Sequence, residues 1–244
     1  MRRWNGLKPG WYLLAAVAVY AAGVTVLFVG RGEQIRDMRA QIAAPRTPNQ
    51  ERTEQEAVAQ VGLWFPIPGA RLPQNPAHLP GSIRAYRQGV NEGFDFYDGD
   101  SGVPVPYGAA VIASASGELV RVDNVYQEPS AQEWQALMQS VADGASEDEL
   151  DRLRGRQVWL ETDAGLLLRY GHLSGIAPGL MEGQRVERGE VLGYVGNSGT
   201  DEGVAGTELG ARLHFEVWEG DTFFGENLNT EELRIAAVSL FTGP

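Results

Sequence analysis

Three polar residues alternate with apolar ones in the segment 210–217. Successive side chains of a β-strand point to opposite faces, so Arg212, His214 and Glu216 would share one face and the apolar residues the other. A cation, an imidazole and a carboxylate side by side can line a binding or catalytic site. They also suit the solvated face of a half-buried strand. Both interpretations stay open from this segment alone, and the first needs partners elsewhere in the chain.

Two further segments carry side chains of the same kinds. Asp95 lies between two phenylalanines, so it is either a buried, paired carboxylate or a ligand. His172 falls at the end of a predicted strand, where a structural role is the simpler interpretation. The chain has three histidines and no cysteine, so a histidine-rich metal site must be drawn from His78, His172 and His214, and thiolate sites are excluded. For His78 we expect a surface or packing role.

The elements that must position these residues are short strands punctuated by Gly and Pro. This spacing predicts an antiparallel, mainly β domain. Apart from the strand that carries Asp95, the predicted strands are 109–113, 118–125, 158–162, 166–170, 191–195 and 212–217. The Gly-rich run 193–199 contains no Lys and no helical pattern follows it, so it is interpreted as a hairpin turn region.

Two helix-start signatures interrupt the strands. Ser130 with Glu133, and Ser146 with Glu149, each form a capping box. Apolar residues at helical spacing follow the first box. We therefore predict a helical-hairpin insertion at 130–155, placed to act as a lid or a docking surface.

An apolar run without charged residues occupies 11–29, with basic residues on both sides. At 1.5 Å per residue, about 20 residues cross the roughly 30 Å of a bilayer core. We predict a cytoplasmic N-terminus (1–10), a transmembrane helix (11–30), a juxtamembrane helix and linker (31–61) and a folded domain (62–244). A cleaved signal peptide is the alternative, but no small-residue cleavage site follows the run.

The charge of the chain bears on its partners. The formal net charge is −12, which argues against nucleic-acid binding, because phosphate contacts need clustered Lys and Arg. We expect no nucleic acid among its partners.

Taken in order, these segments resemble the domain of LytM or lysostaphin-type zinc metallopeptidases, which cut peptide cross-links in bacterial peptidoglycan. The resemblance covers about residues 66–217. It depends on linked segments in the expected order: 93–96, 108–111, 169–174, 183–186, 189–193, 196–199 and 213–217. It implies an antiparallel β-sheet LytM-like domain.

The resemblance also assigns site residues. Zinc in this family is held by an H-x-x-x-D motif and an H-x-H motif, which makes Asp95 and His214 remnant zinc ligands. His172 matches a histidine that steadies the transition state. Asn91 stands where the third ligand is expected, and Arg212 stands where a histidine acting on the catalytic water is expected.

These two departures change the chemistry of the site. A catalytic zinc needs three protein ligands and an open position. A neutral amide is a poor zinc ligand, and a guanidinium cannot act as a base. We therefore expect no cofactor, with zinc bound only if the site still functions.

In place of the metal, we expect Arg212 to pair with Asp95 and with Glu216. Asn91 would complete the hydrogen bonding, and Asn91 and Glu216 would line the groove. Glu92 is disfavoured as a replacement ligand, because the adjacent position along a strand points elsewhere.

The resulting hypothesis is a catalytically inactive LytM-like pseudoenzyme, anchored by a single membrane span with its C-terminal domain outside the cytoplasm. It would act as a cell-wall-related regulator or binding scaffold, because degenerate members of this family regulate cell-wall amidases. Its partner would be a protein, such as a cell-wall hydrolase or a membrane complex, or peptidoglycan. Two alternatives remain: an accessory structural subunit of a larger membrane complex, and a zinc peptidoglycan endopeptidase with altered ligands.

Overall fold

The computed structural model describes residues 62–243 of the chain. The predicted membrane span, juxtamembrane helix and linker lie outside the described residues. Between residues 62 and 243, no helix is both long enough and apolar enough to cross a membrane.

The described part of the chain is built mainly from short strands with a few helices. The strands are β1 (Leu63–Trp64), β2 (Ile83–Arg84), β3 (Gly89–Val90), β4 (Phe94–Tyr97), β5 (Ala110–Ile112), β6 (Gly117–Val122), β7 (Val158–Thr162), β8 (Leu167–Gly171), β9 (Leu173–Ile176), β10 (Arg185–Val186), β11 (Val191–Val195), β12 (Arg212–Glu219), β13 (Thr222–Phe223) and β14 (Phe241–Gly243). The α-helices are α1 (Ala131–Ser140), α2 (Glu147–Leu153), α3 (Asp201–Val204) and α4 (Thr230–Leu240).

The main sheet is antiparallel, as the sequence predicts. Its strands run in the order β10-β6-β7-β8-β12-β13, and β4 also pairs with β12. A smaller antiparallel sheet has the order β5-β11-β9. On β12, His214 lies opposite Asp95 of β4 on one side and opposite Gly171 of β8 on the other. The register therefore brings the polar segments of the sequence together.

The two faces of the main sheet differ in composition. One face carries fully buried apolar residues such as Phe96, Leu168 and Phe215. They belong to one hydrophobic core with residues of the smaller sheet and of α4. The other face carries the polar residues of β12. The alternation predicted for 211–217 is thus confirmed, and it separates the core from the site.

The helical insertion forms between β6 and β7, where it was predicted. Both capping boxes are present, with Ser130 accepting from the N–H of Glu133 and Ser146 from that of Glu149. Because each Ser–Glu pair satisfies orphan amide groups in the first turn, the helices begin at these positions. Their apolar faces form a separate small core of Trp134, Leu137, Val141, Leu150 and Leu153.

Three features differ from the sequence predictions. Helix α4 was not predicted, although Asn229 and Glu232 form a third capping box at its start. Helix α3 directly follows the Gly-rich run, where no helix was expected, because Thr200 caps the N–H of Gly203. Strand β1 is not among the predicted strands, and it pairs in parallel with β14.

Candidate functional site

The polar face of β12 is buried rather than solvated. Glu216 is 0% exposed and His214 is 8% exposed. Charged groups are seldom buried unless they are paired, so we expect partners for these residues on neighbouring elements. The solvated-face alternative is therefore wrong, and the interpretation of a strand lining a site stays a prediction.

The His214 ring lies between two carboxylates. Its Nδ1 is 2.8 Å from Oδ1 of Asp95, and its Nε2 is 2.9 Å from Oε1 of Glu216. Only an imidazolium can donate from both nitrogens at once. Burial lowers the pKa of His214, but the two carboxylates outweigh it and raise that pKa above its usual value. The ring is a charged bridge between Asp95 and Glu216.

Asp95 is further held by the segment that precedes β4. Arg84 places Nη2 at 2.7 Å from Oδ2, and the amide of Asn91 donates to the same oxygen at 3.1 Å. Nε of Arg212 is 3.8 Å from Oδ1. Burial raises the pKa of Asp95, but His214, Arg212 and Arg84 lower it well below its usual range. Arg212 was expected to be the main cation on Asp95, whereas Arg84 is closer and was not predicted.

Arg212 instead contacts His172, with Nη2 at 2.7 Å from Nε2. Because a guanidinium only donates, Nε2 of His172 accepts, and Nδ1–H donates to the carbonyl of Ser198 at 2.7 Å. Burial, with the charges of Arg212 and His214, holds the pKa of His172 well below 6.5. His172 is therefore neutral, and its one lone pair is occupied.

His172 also has an unusual backbone conformation. Its φ is 58°, in the left-handed region that non-glycine residues seldom adopt. Its N–H donates to the carbonyl of Arg154 at 2.7 Å, which ties this turn to the end of the helical insertion. The contact holds the ring at the junction of β8 and β9.

Glu216 pairs with Arg154, not with Arg212 as expected. Nε of Arg154 lies 2.6 Å from Oε1 of Glu216, and Nη2 lies 2.6 Å from Oε2 of Glu92. Arg169 and the indole N–H of Trp218 contact Oε2 of Glu216. Burial raises the pKa of Glu216, but His214 and Arg154 lower it well below its usual range. Arg154, only 5% exposed, is the main counter-ion.

Glu92 faces the site, contrary to the expectation that it points elsewhere. That expectation assumed strand alternation, but residues 91–93 lie between β3 and β4 and belong to neither strand. Strand alternation therefore does not fix the direction of the Glu92 side chain, and its carboxylate reaches Arg154.

The site borders a cavity of about 370 Å³. One wall consists of the polar residues described above. The helical insertion supplies further lining residues, which are the apolar side chains of Trp134, Met138, Leu150 and Leu153. The insertion is thus part of the cavity and not a remote appendage.

The residues at this position do not fit a zinc ion. Two ligand atoms of a tetrahedral zinc, each about 2.05 Å from the metal, lie about 3.3 Å apart, whereas Nδ1 of His214 and Oδ1 of Asp95 are 2.8 Å apart. Two guanidinium groups lie within 4 Å of Asp95. In the part of the chain that the structure describes, no group of three His, Cys, Asp or Glu side chains is placed to hold a metal.

The third histidine lies outside this site. Nδ1 of His78 is 2.8 Å from Oδ2 of Asp100, and the ring packs on Tyr97 with centroids 4.4 Å apart. It has the packing role expected from the sequence.

Comparison with known families and structures gives the class of the protein. The model of peptidase family M23 matches residues 98–226, more than half of the chain. The chain therefore belongs to peptidase family M23, and the resemblance to LytM and lysostaphin-type domains is confirmed. Members of this family are zinc peptidases. The match includes Arg212 and His214 but begins after Asn91 and Asp95.

The solved structures that match this chain have low identity to it. Csd3 of Helicobacter pylori is 18% identical, with 70% of this chain and 32% of that chain covered and a TM-score of 0.38. A zinc-containing peptidase from Vibrio cholerae is 19% identical, with 70% and 41% covered and a TM-score of 0.43. The catalytic domain of lysostaphin from Staphylococcus simulans is 19% identical, with 60% and 82% covered and a TM-score of 0.37.

The first two of these proteins are much longer than the matched region, so this chain spans about a third of one and about two fifths of the other. The curated proteins compared with this chain include no match.

Proposed function

We propose that this chain is a non-catalytic member of family M23 that acts as a membrane-anchored binding scaffold or regulator related to the cell wall. The observation that carries this proposal is the engagement of His214. Both of its ring nitrogens contact carboxylate oxygens, so neither offers a lone pair to a metal. The atoms that would ligate zinc are hydrogen-bonded to one another.

Arg212, which stands where the resemblance expects the histidine that acts on the catalytic water, also supports a non-catalytic function. A guanidinium stays protonated at any physiological pH, so Arg212 cannot take a proton from water. It also occupies Nε2 of His172. Neither of the two residues that would act on a bound water is free to do so.

Membrane anchoring is supported by the sequence of the N-terminal part. The uncharged run 11–29 is long enough to span a bilayer, and we propose that the domain lies on the extracytoplasmic side. The binding partner would be a protein, such as a cell-wall hydrolase or a membrane complex, or peptidoglycan itself. The cavity beside the helical insertion is the proposed binding region.

The test uses the full chain purified in detergent. Zinc content is measured by elemental mass spectrometry, and hydrolysis of cross-linked peptidoglycan is measured with and without a chelator. We expect zinc far below one ion per chain and no hydrolysis. Stoichiometric zinc with chelator-sensitive hydrolysis would establish the altered-ligand endopeptidase instead.

A restored variant calibrates this measurement. Asn91→His with Arg212→His returns both expected histidines, and we expect its zinc content to rise above that of the natural chain. Protease accessibility of the domain in intact cells and in lysed cells tests the proposed location. Protection in intact cells whose cell envelope is permeable to the protease would contradict it.

A further inference from the structure

Arg87 differs from the other arginines that line the cavity. Arg84, Arg154 and Arg212 each have a side-chain acceptor within 2.7 Å. Arg87 is 9% exposed and donates from Nη2 to the carbonyl of Val90, but its Nε has no hydrogen-bond partner. Within residues 62–243, no carboxylate lies within ion-pairing distance of it.

A buried guanidinium without a counter-ion is unfavourable, since its desolvation is not repaid by an opposite charge. Glu92 is near enough for Arg87 to lower its pKa, against the larger effect of burial, which raises it. Yet the carboxylate of Glu92 is bound to Arg154 at 2.6 Å. An anion brought by a ligand would supply what Arg87 lacks.

The rest of the cavity specifies the ligand further. The insertion contributes the apolar side chains of Trp134, Met138, Leu150 and Leu153 to the lining of the same cavity. The volume of about 370 Å³ is at the lower end of small-molecule sites, which run from about 300 to 1,000 Å³. A small ligand with an apolar part beside its anionic group would fill it.

The balance of charge favours a monoanion. The described residues that line the cavity include four arginines and the charged His214, against five acids: Glu92, Asp95, Asp201, Glu202 and Glu216. A doubly charged phosphate would be repelled by these acids more strongly than a carboxylate. The guanidinium of Arg87, which lines the cavity, suits a charge-assisted hydrogen bond to a carboxylate oxygen.

We propose that the cavity binds a monocarboxylate attached to an aliphatic or aromatic group, with the carboxylate on Arg87 and the apolar group on the helical insertion. This inference deepens the proposed function, because it names the chemistry of what the scaffold binds. Such a group occurs at the end of a peptide and in a free organic acid.

The experiment titrates the full chain with N-acetyl-leucine and follows binding by calorimetry and by NMR. N-acetyl-leucinamide is the matched control, because it has the same side chain without the carboxylate. We expect the acid to bind at least tenfold more tightly than the amide and than inorganic phosphate. Equal affinity of acid and amide, or tighter binding of phosphate, would overturn the proposal.

A third probe separates the two sources of the ligand. 4-Methylpentanoate keeps the isobutyl group and the carboxylate but lacks the amide. Weaker binding of this acid than of N-acetyl-leucine supports a peptide end, and equal binding supports a free organic acid.

Variants assign the binding to the cavity. We expect Arg87→Gln to weaken binding of N-acetyl-leucine at least tenfold, Arg87→Lys to weaken it less, and the exposed control Arg152→Gln to leave it unchanged. Unchanged affinity in folded Arg87→Gln would overturn the proposal.

If Arg87→Gln fails to fold, Met138→Asp carries the test. A carboxylate at this position should repel the carboxylate of the ligand and weaken binding of N-acetyl-leucine at least tenfold. Gln139→Asp, exposed on the same helix, is its control.

Measuring the zinc content of the same preparation separates failure of the carboxylate-binding inference from failure of the proposed non-catalytic function. Absence of carboxylate binding by a zinc-free, folded chain defeats this inference alone. Stoichiometric zinc with hydrolysis of peptidoglycan defeats the proposed function.

Discussion

The rings of His172 and His214 lie 5.8 Å apart, centroid to centroid, and yet differ in protonation. Arg212 donates to His172, which keeps that ring neutral, while Asp95 and Glu216 accept from His214, which keeps that ring charged. Two identical side chains in one site are thus assigned opposite protonation states by their partners.

This difference can be observed directly. In ¹⁵N NMR spectra at neutral pH, we expect both ring nitrogens of His214 to carry protons and only Nδ1 of His172 to do so. His78 lies outside the cavity and serves as an internal reference. A neutral His214 with one unprotonated nitrogen would contradict the double hydrogen bond, and with it the main support for an inactive site.

The largest loss of stability in the site is expected from Arg154→Met. It removes the main counter-ion of Glu216, which is fully buried. Breaking a buried ion pair by removing one partner costs about 3–5 kcal/mol. The free energy of unfolding, measured by denaturant titration, should fall by this amount.

Arg212→Ala is the comparison for Arg154→Met. The sequence predicted Arg212 as the partner of Asp95, but Arg84, Asn91 and His214 also contact Asp95 and remain in this variant. We expect a smaller loss of roughly 1–2 kcal/mol. A loss as large as that of Arg154→Met would restore Arg212 as the main counter-ion.

Acid is expected to loosen the helical insertion through Asp151. Nη1 of Arg121, on β6, lies 2.5 Å from Oδ1 of Asp151, on α2. Burial raises the pKa of Asp151, but the hydrogen bonds from Arg121 and Gln157 lower it below its usual value of 3.8. Because the folded-state pKa is the lower one, the stabilisation is present above 3.8 and is lost as pH falls through the folded value.

Hydrogen exchange of the α1 and α2 amides measures this loosening. Asp151→Asn should produce faster exchange already at neutral pH and should flatten the acid dependence. Asp148→Asn, an exposed acid on the same helix, is the control and should change neither. Equal effects of both variants would mean that the Arg121 contact does not hold the insertion.

Gly93 directly precedes β4, the strand whose Asp95 lies opposite His214 of β12. A Cβ at this position would be 2.4 Å from the carbonyl oxygen of Phe215, and 2.9 Å from Cγ of Glu216. Gly93→Ala must therefore push β4 away from β12, at a cost of about 1–3 kcal/mol typical of overpacking. Thermal unfolding of Gly93→Ala should occur at a lower temperature than that of Gly175→Ala, where the nearest heavy atom is 3.9 Å away.

Local periodicity was enough to predict much of the fold. The alternation along 212–217 and the spacing of Ser130 with Glu133 depend on residues close in sequence, and both predictions are confirmed. The capping box of Asn229 and Glu232 has the same local form, so helix α4 was predictable from the sequence.

Ion-pair partners could not be predicted in this way. Arg212 and Glu216 share a strand face, which made them natural candidates for a pair. The actual partner of Glu216 is Arg154, 62 residues away, and the nearest guanidinium to Asp95 belongs to Arg84 in a separate hairpin. Such choices depend on which elements the fold brings together, and no spacing in the sequence records them.

Arg154 has one further consequence for this protein. Its side chain binds Glu216 and Glu92, and its carbonyl accepts from His172, so the end of the helical insertion is joined to the site by both side chain and main chain. A ligand whose binding moves Arg154 would therefore act on the insertion as well as on the site. That ligand and a protein bound to the outer surface of the insertion would then change each other's affinity by the same factor, whichever binds first.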